Sequence, residues 1–138
     1  MSANPPQPLT QITTHHAING FAFGCPPDEL IHRMGKPDDA LQNYTGEWEF
    51  LFGDVFYRFL YNRLVEATCP ASHYLVIDGE AVPSVFDYLA RQPDVIDAAK
   101  FRISLAKGMA YDYRDAQHGS LTVFERGRWD ALVGEYRK

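Results

Sequence analysis

The stretch from Gly24 to Pro37, GCPPDELIHRMGKP, constrains the fold most, because it is typical of one short helix with a defined start and stop. Two prolines suit the first helical turn, where a missing N–H group would have no partner anyway. Gly35 permits the left-handed conformation that ends a helix, and the proline after it prevents the helix from resuming. We therefore predict a helix over Pro27–Met34, with Leu30, Ile31 and Met34 as its apolar stripe, and a polar connector over residues 38–46.

Strands follow this connector. Trp48, Phe50 and Phe52 alternate with Glu47, Glu49 and Leu51, and this period of two is typical of a half-buried strand. Short turn signals separate the next apolar runs, so residues 47–52, 55–61 and 64–68 are predicted to form an antiparallel meander. The pair Asn19-Gly20 tolerates positive φ at both positions and predicts a small hairpin, or a strand with a sharp bend, before the helix.

A weaker copy of this plan recurs in the second half. Ile18-Asn19-Gly20 corresponds to Ile77-Asp78-Gly79, and Pro83 and Pro93 are spaced like Pro27 and Pro37. A helix over 84–91 and strands over 100–106, 109–113 and 121–125 follow, while 126–138 suits either a strand or a short helix. The predicted fold class is α+β, an antiparallel β-sheet from two α-β-β-β repeats with both helices packed on one face. The predicted organisation is a disordered tail over 1–11 and a single domain over 12–138, with repeats at about 18–68 and about 74–125.

Composition limits the classes of function. A chain of 138 residues is expected to form one domain. Its net charge of −5 disfavours a nucleic-acid partner, since phosphate binding needs a basic surface. No apolar run approaches the roughly 20 residues of a membrane-spanning helix, and the first residues do not look like a signal peptide. Two cysteines are too few for a disulfide framework, so a cytoplasmic location with reduced thiols is predicted.

A family resemblance rests on the pattern Gly24-x-x-x-x-Glu29-Leu30-x-x-x-Met34-Gly35-x-Pro37 followed by Trp48-x-Phe50. This pattern resembles the signature of the SmpA/OmlA (BamE-like) domains, and tandem units of that kind look like the β-lactamase-inhibitor-protein (BLIP-like) fold. The resemblance covers residues 18–60 well and residues 77–125 weakly. It implies a small module that binds another protein. The chain lacks the secretory signal, lipid-attachment cysteine and disulfides of those relatives, which suits a cytosolic, immunity-type protein.

The candidates for chemistry are few, and no catalytic residue, cofactor site or metal site is predicted. Cys25 lies just before a helix N-terminus, where the helix dipole lowers the pKa of a thiol, and His15 or His16 could act as its base. The alternative is a buried cysteine that fills a pocket at the helix start. The two adjacent histidines point to opposite sides of a strand and do not easily share one metal.

The leading hypothesis is a non-enzymatic protein-binding module that uses the face of its sheet, as an inhibitor or immunity protein does. Tyr, Trp and Arg dominate interface hot spots, and the predicted partner-binding residues are Tyr57, Arg58, Phe59, Tyr111, Tyr113 and Trp129. The alternative is that these aromatic residues form the core under the helices. A basic protein would suit the acidic surface, and a homodimer through edge strands stays open. The second hypothesis is a small-molecule-binding domain with a pocket between sheet and helices.

Overall fold

A computed structural model describes residues 8–115 and 119–136 of the chain. Within these ranges the protein is α+β, with mostly short strands and three short helices. The strands are β1 (Leu9–Thr13), β2 (Ala17–Ile18), β3 (Phe21–Ala22), β4 (Asp39–Gln42), β5 (Trp48–Phe52), β6 (Val55–Leu60), β7 (Arg63–Pro70), β8 (Tyr74–Ile77), β9 (Glu80–Val82), β10 (Ile96–Ala98), β11 (Phe101–Ser104), β12 (Met109–Asp112) and β13 (Ser120–Phe124). The helices are α1 (Pro27–Met34), α2 (Val85–Ala90) and α3 (Asp130–Tyr136).

The larger sheet has eight strands in the order β10-β11-β12-β13-β7-β6-β5-β4, and all its pairs are antiparallel. Two four-strand meanders, β4 to β7 and β10 to β13, each follow the chain order. They meet at the centre of the sheet, where β7 pairs with β13 from Glu66 opposite Phe124 to Pro70 opposite Ser120. The predicted meanders are thus present, and each has one strand more than expected.

The smaller sheet has five strands in the order β3-β2-β1-β8-β9. Its hairpins β2–β3 and β8–β9 turn at Asn19-Gly20 and Asp78-Gly79, and both non-glycine turn residues have positive φ, 51° and 52°. Strand β1 lies between the hairpins and pairs with β8 in parallel from Leu9 to Ile12. The turn chemistry at Asn19-Gly20 is therefore confirmed.

Two expectations are corrected by this second sheet. A single sheet was predicted, but the two hairpins separate from the meanders because β1 binds them together. Residues 9–11 of the predicted tail belong to β1, where Thr10 and Ile12 are buried and alternate with exposed neighbours. The pattern was hidden by the prolines that precede it. The rest of the predicted tail, residues 1–7, lies outside the described residues.

The main core lies on the face of the large sheet that carries Tyr57, Ala67 and Val123, called the inner face below. Leu30 of α1, Leu89 of α2 and the buried side chains of the small sheet belong to this same core. A second, smaller core lies on the opposite, outer face. There Val133 of α3 packs with outer-face residues of β11 to β13, namely Ile103, Ala110 and Phe124.

Helix α1 has the predicted bounds, and Gly35 ends it with a φ of 86°. Its predicted apolar stripe is only partly buried: Leu30 is fully buried, but Ile31 and Met34 are 38% and 39% exposed. An eight-residue helix contacts the core through little more than one turn. Helix α2 starts where Ser84 accepts a hydrogen bond from the N–H of Asp87, and Phe86 on this helix is 37% exposed. The terminal segment is a helix, one of its two predicted forms.

Candidate functional site

Two of the predicted partner-binding residues belong to the core. Tyr57 and Phe59 are 2% and 1% exposed and lie on the inner face, among the side chains of both sheets. The Tyr57 hydroxyl accepts a hydrogen bond from Asn19 Nδ2 at 3.1 Å, and burial raises its pKa. Their assignment as partner-binding residues is therefore wrong, because a partner cannot reach them in the folded protein. The structure agrees with the alternative to the extent that both rings are core residues.

Tyr111 and Tyr113 lie in a half-buried aromatic cluster beside α2. Their rings stack with centroids 6.2 Å apart, and Phe86 meets them edge-on at 5.8 and 5.5 Å. The guanidinium of Arg102 lies 3.8 Å from the centroid of Phe86 and is held there by hydrogen bonds to Asp97. The cluster is on the α2 side of the sheet, so these tyrosines and the outer-face residues do not share one surface.

Arg58 and Trp129 converge on Glu66, a residue that the sequence did not single out. Arg58 Nη1 donates to Glu66 Oε2 at 2.7 Å, and Trp129 Nε1 donates to Glu66 Oε1 at 3.2 Å. Arg128 Nε also donates to Oε1, at 2.8 Å. The Glu66 side chain is 9% exposed, so its charge is compensated by two guanidinium groups and an indole N–H.

Two outer carboxylates extend this network. Arg58 Nε donates to Glu49 at 2.9 Å, and Arg128 Nη2 lies 2.5 Å from Glu47. The Trp129 ring stacks on Phe124 with centroids 5.1 Å apart. The network therefore fastens the segment before α3 to the outer face. The sequence signal for Glu66 is its acidic side chain between the apolar residues Val65 and Ala67 of strand β7.

The outer face of β4 to β6 carries side chains that belong to neither core. We call this surface the open half and define it by Leu41, Glu49, Leu51, Phe56, Arg58 and Leu60. Leu41 is 56% exposed, and the other apolar members are half-buried. Helix α3 packs at the other half of this face. Within the described ranges, no helix contributes an apolar cluster to the open half.

A cleft of about 460 Å³ opens at the end of β6, β7 and β13. Its lining includes the carboxylate of Asp54, the aromatic rings of Phe56 and Tyr111, and the hydroxyls of Ser72 and Ser120. Gly119 is required beside it, since a Cβ there would collide with the hydroxyl of Tyr111. The cleft lies at the sheet end, whereas the predicted small-molecule pocket was placed between sheet and helices, where the main core packs.

A hydrogen-bonded chain of side chains borders this cleft. His73 Nε2 lies 2.7 Å from Asp54 Oδ2, and His73 Nδ1 lies 2.8 Å from Thr10 Oγ1. The order carboxylate, imidazole, hydroxyl resembles a catalytic triad. Thr10 is 0% exposed, however, so substrate cannot reach its hydroxyl. The chain ties β1 and the segment before β8 to the turn between β5 and β6.

The cysteines are buried thiols. Burial, together with a hydrogen bond to Glu29, raises the pKa of Cys25 to about 11, whereas the helix-dipole argument expected a lowered pKa. Burial raises the pKa of Cys69 to about 12. His15, one of the two proposed bases, is engaged elsewhere, because its Nε2 lies 2.9 Å from the carbonyl oxygen of Ala106. The buried-cysteine alternative therefore describes Cys25.

Two kinds of feature are absent from the described residues. No group of three or more His, Cys, Asp or Glu side chains is placed to hold a metal ion. None of the three helices has the length and apolar character needed to span a membrane. Comparison of the chain with protein-family models, with curated proteins and with solved structures finds no match.

Proposed function

We propose that the protein is a non-enzymatic binding module that holds a basic protein against the open half of its large sheet. The single observation that carries this proposal is that α3 packs on only one half of the outer face. Helix α3 packs on one half of that face, while in the open half Leu41 is exposed and Leu51, Phe56 and Leu60 are half-buried. An uncovered apolar strip on an otherwise packed domain is typical of an interaction surface.

The charge around the open half favours a basic partner. Asp39, Glu49 and Asp54 lie on or beside it, and Glu47, which is paired with Arg128, lies next to β5. Arg58 is the cation at its centre, and this guanidinium is already paired with Glu49 and Glu66. The chain as a whole carries a net charge of −5. Such a surface speeds association with a positively charged protein and disfavours acidic ones.

We also infer that the fold is a duplication, with both helices covering the same face of the large sheet. Each half of the chain has the same order, a hairpin, a helix and four strands, from β2 to β7 and from β8 to β13. The meanders meet at β7 and β13 as mirrored neighbours in the sheet order. This arrangement supports a cytoplasmic inhibitor or immunity-type protein in which one half of a doubled sheet serves as the binding surface.

Affinity capture with matched variants tests the proposal. The outer-face variant is Leu41→Ser/Leu51→Ser, and the control is Ile31→Ser/Met34→Ser, which changes exposed apolar residues of α1. We expect wild type and control to capture a common protein rich in Lys and Arg. The outer-face variant should capture it at least about tenfold less, since removing two interface leucines costs more than about 1.4 kcal/mol.

Two further readouts distinguish this proposal from non-specific capture. The captured protein should associate with the chain more slowly as the salt concentration is raised, because salt screens its attraction to the acidic surface. Equal capture by both double variants, or a partner that depends on Ile31 and Met34, would contradict the assignment of the open half.

A further inference from the structure

The cleft at the end of β6, β7 and β13 has a lining that suits a cationic group at the end of an apolar side chain. We propose that it receives an arginine side chain of the bound partner, an inference that rests on the proposed function. Asp54 is the charged residue of the lining, and none of the described lining residues is Lys, Arg or His. An anionic group would therefore meet a carboxylate there and, among the described lining residues, no compensating cation.

Asp54 is held in a fixed orientation. Its Oδ2 accepts a hydrogen bond from His73 Nε2, and the other ring nitrogen is fixed by Thr10. The two contacts hold the imidazole by both of its ring nitrogens, and the ring in turn fixes the Asp54 carboxyl group. Oδ1 has no hydrogen-bond partner among the described residues, and the side chain is 55% exposed. One oxygen is thus anchored while the other is available to a ligand.

The remaining lining suits a guanidinium better than a hydrated ammonium ion. Phe56 and Tyr111 supply aromatic surface, on which a planar, weakly hydrated guanidinium stacks favourably. Ser72 and Ser120 add hydroxyl oxygens that accept hydrogen bonds from the remaining N–H groups.

The cleft is continuous with the open half. Phe56 belongs to both, so a partner lying across the open half has its side chains at the mouth of the cleft. The guanidinium of Arg58 borders the cleft, because it donates at 2.7 Å to the hydroxyl of Thr68, a lining residue. Its charge is neutralised by Glu49 and Glu66, so it does not compete for Asp54.

The test is an NMR titration of the full chain with three probes: butylguanidinium, its neutral analogue butylurea, and the blocked tripeptide acetyl-Leu-Arg-Leu-amide. We expect saturable shifts of amides at residues 54–56, 69–72 and 119–120 with both guanidinium probes and none with butylurea. The tripeptide should bind more tightly than butylguanidinium. Asp54→Asn should weaken binding about tenfold or more, while Asp130→Asn on α3 should leave it unchanged.

A second variant keeps the inference testable if Asp54→Asn does not fold. Phe56→Leu keeps the cleft apolar but removes an aromatic ring, so it should lower the affinity for both guanidinium probes about threefold. The inference is overturned if butylurea binds as tightly as butylguanidinium, or if no probe shifts the amides of the wild type. The proposed function still stands in that case if capture of the partner depends on Leu41 and Leu51. Equal affinity of tripeptide and butylguanidinium overturns the assignment to a protein side chain. Cleft binding without capture at the open half overturns the proposed function and the partner assignment with it.

Discussion

Glu66 is the residue on which the outer-face network depends. Replacing it by Gln removes the charge that Arg58 and Arg128 share. Each arginine keeps one outer carboxylate, so we expect Glu66→Gln to lower the free energy of unfolding by about 2 kcal/mol, less than for a fully buried ion pair. Urea denaturation measures this change.

The matched control for Glu66 is Glu125→Gln. Glu125 pairs with Arg63, whose side chain is 54% exposed, and exposed pairs contribute only about 0–1 kcal/mol. Equal losses of stability in the two variants would mean that the network around Glu66 is no more than surface charge.

The two thiols should be inert in the folded protein. Burial raises the pKa of Cys25 to about 11 and that of Cys69 to about 12, so little thiolate is present at pH 8. We expect Ellman's reagent to react on the order of 100-fold more slowly with the native chain than in urea. Rapid labelling of one thiol in the native chain, lost in Cys25→Ala, would restore the activated-cysteine hypothesis.

Asp78 gives a pH dependence whose sign is fixed. Partial burial acts to raise its pKa, but hydrogen bonds from the Thr14 N–H and hydroxyl, with Lys107 nearby, outweigh burial and lower the pKa. A lowered folded-state pKa stabilises the protein above the unfolded value of about 3.9, and the contribution is lost as pH falls through the folded-state pKa.

We therefore expect Asp78→Asn to be less stable than wild type at neutral pH by only about 0.5 kcal/mol, because the side chain is 42% exposed and solvent screens its charge. The difference should shrink as the solution is acidified below pH of about 4. Urea denaturation at a series of pH values measures it. A gap that stays constant into acid would show that the carboxylate charge does not contribute.

At the residue scale, the sequence showed which side chains are of the types common at interfaces, but it did not show what surrounds each of them in the fold. Arg58 and Trp129 were singled out as interface residues, and both lie at the outer face, but their partner Glu66 is distant from Trp129 in sequence. Tyr57 and Phe59 were singled out in the same way, as aromatic residues of a strand, but their side chains face the core. Period-two alternation separates the two faces of a strand without telling which face is covered.

At the element scale, local signals were sufficient for α1 and for the two-residue turns. Helix α1 has proline at its start and Gly35 at its end, and its bounds are those predicted. Strand β4 was missed because all four of its residues are exposed, so its pattern is that of a loop. It forms one edge of the large sheet, and pairing of two chains through that edge stays a prediction.

Helix α3 is fastened by few contacts, and Trp129 is central among them. Its ring stacks on Phe124, meets Phe101 edge-on at 6.1 Å, and donates to Glu66. Trp129→Ala should lower the free energy of unfolding by about 2–3 kcal/mol, because the ring is only partly buried. Hydrogen exchange should increase first in α3, and an equal increase across β6 and β7 would contradict its role as a local fastening.

At the scale of the whole molecule, the chain order predicted meanders but not how they combine. The pairing of β7 with β13 joins residues more than 50 positions apart, such as Thr68 and Thr122. The parallel pairing of β1 with β8 likewise joins distant segments. Neither pairing leaves a local pattern. The cover of only part of the outer face, on which the proposed function depends, follows from these long-range pairings and from α3.

Hydroxyl-radical footprinting of the complex with the captured basic protein tests the central claim most directly. We expect Leu41, Leu51 and Phe56 to be protected in the complex, while Ile31 and Met34 keep the reactivity they have in the free chain. Protection on α1 with unchanged labelling of Leu41, Leu51 and Phe56 would contradict the account, because the partner would then lie on the other side of the molecule.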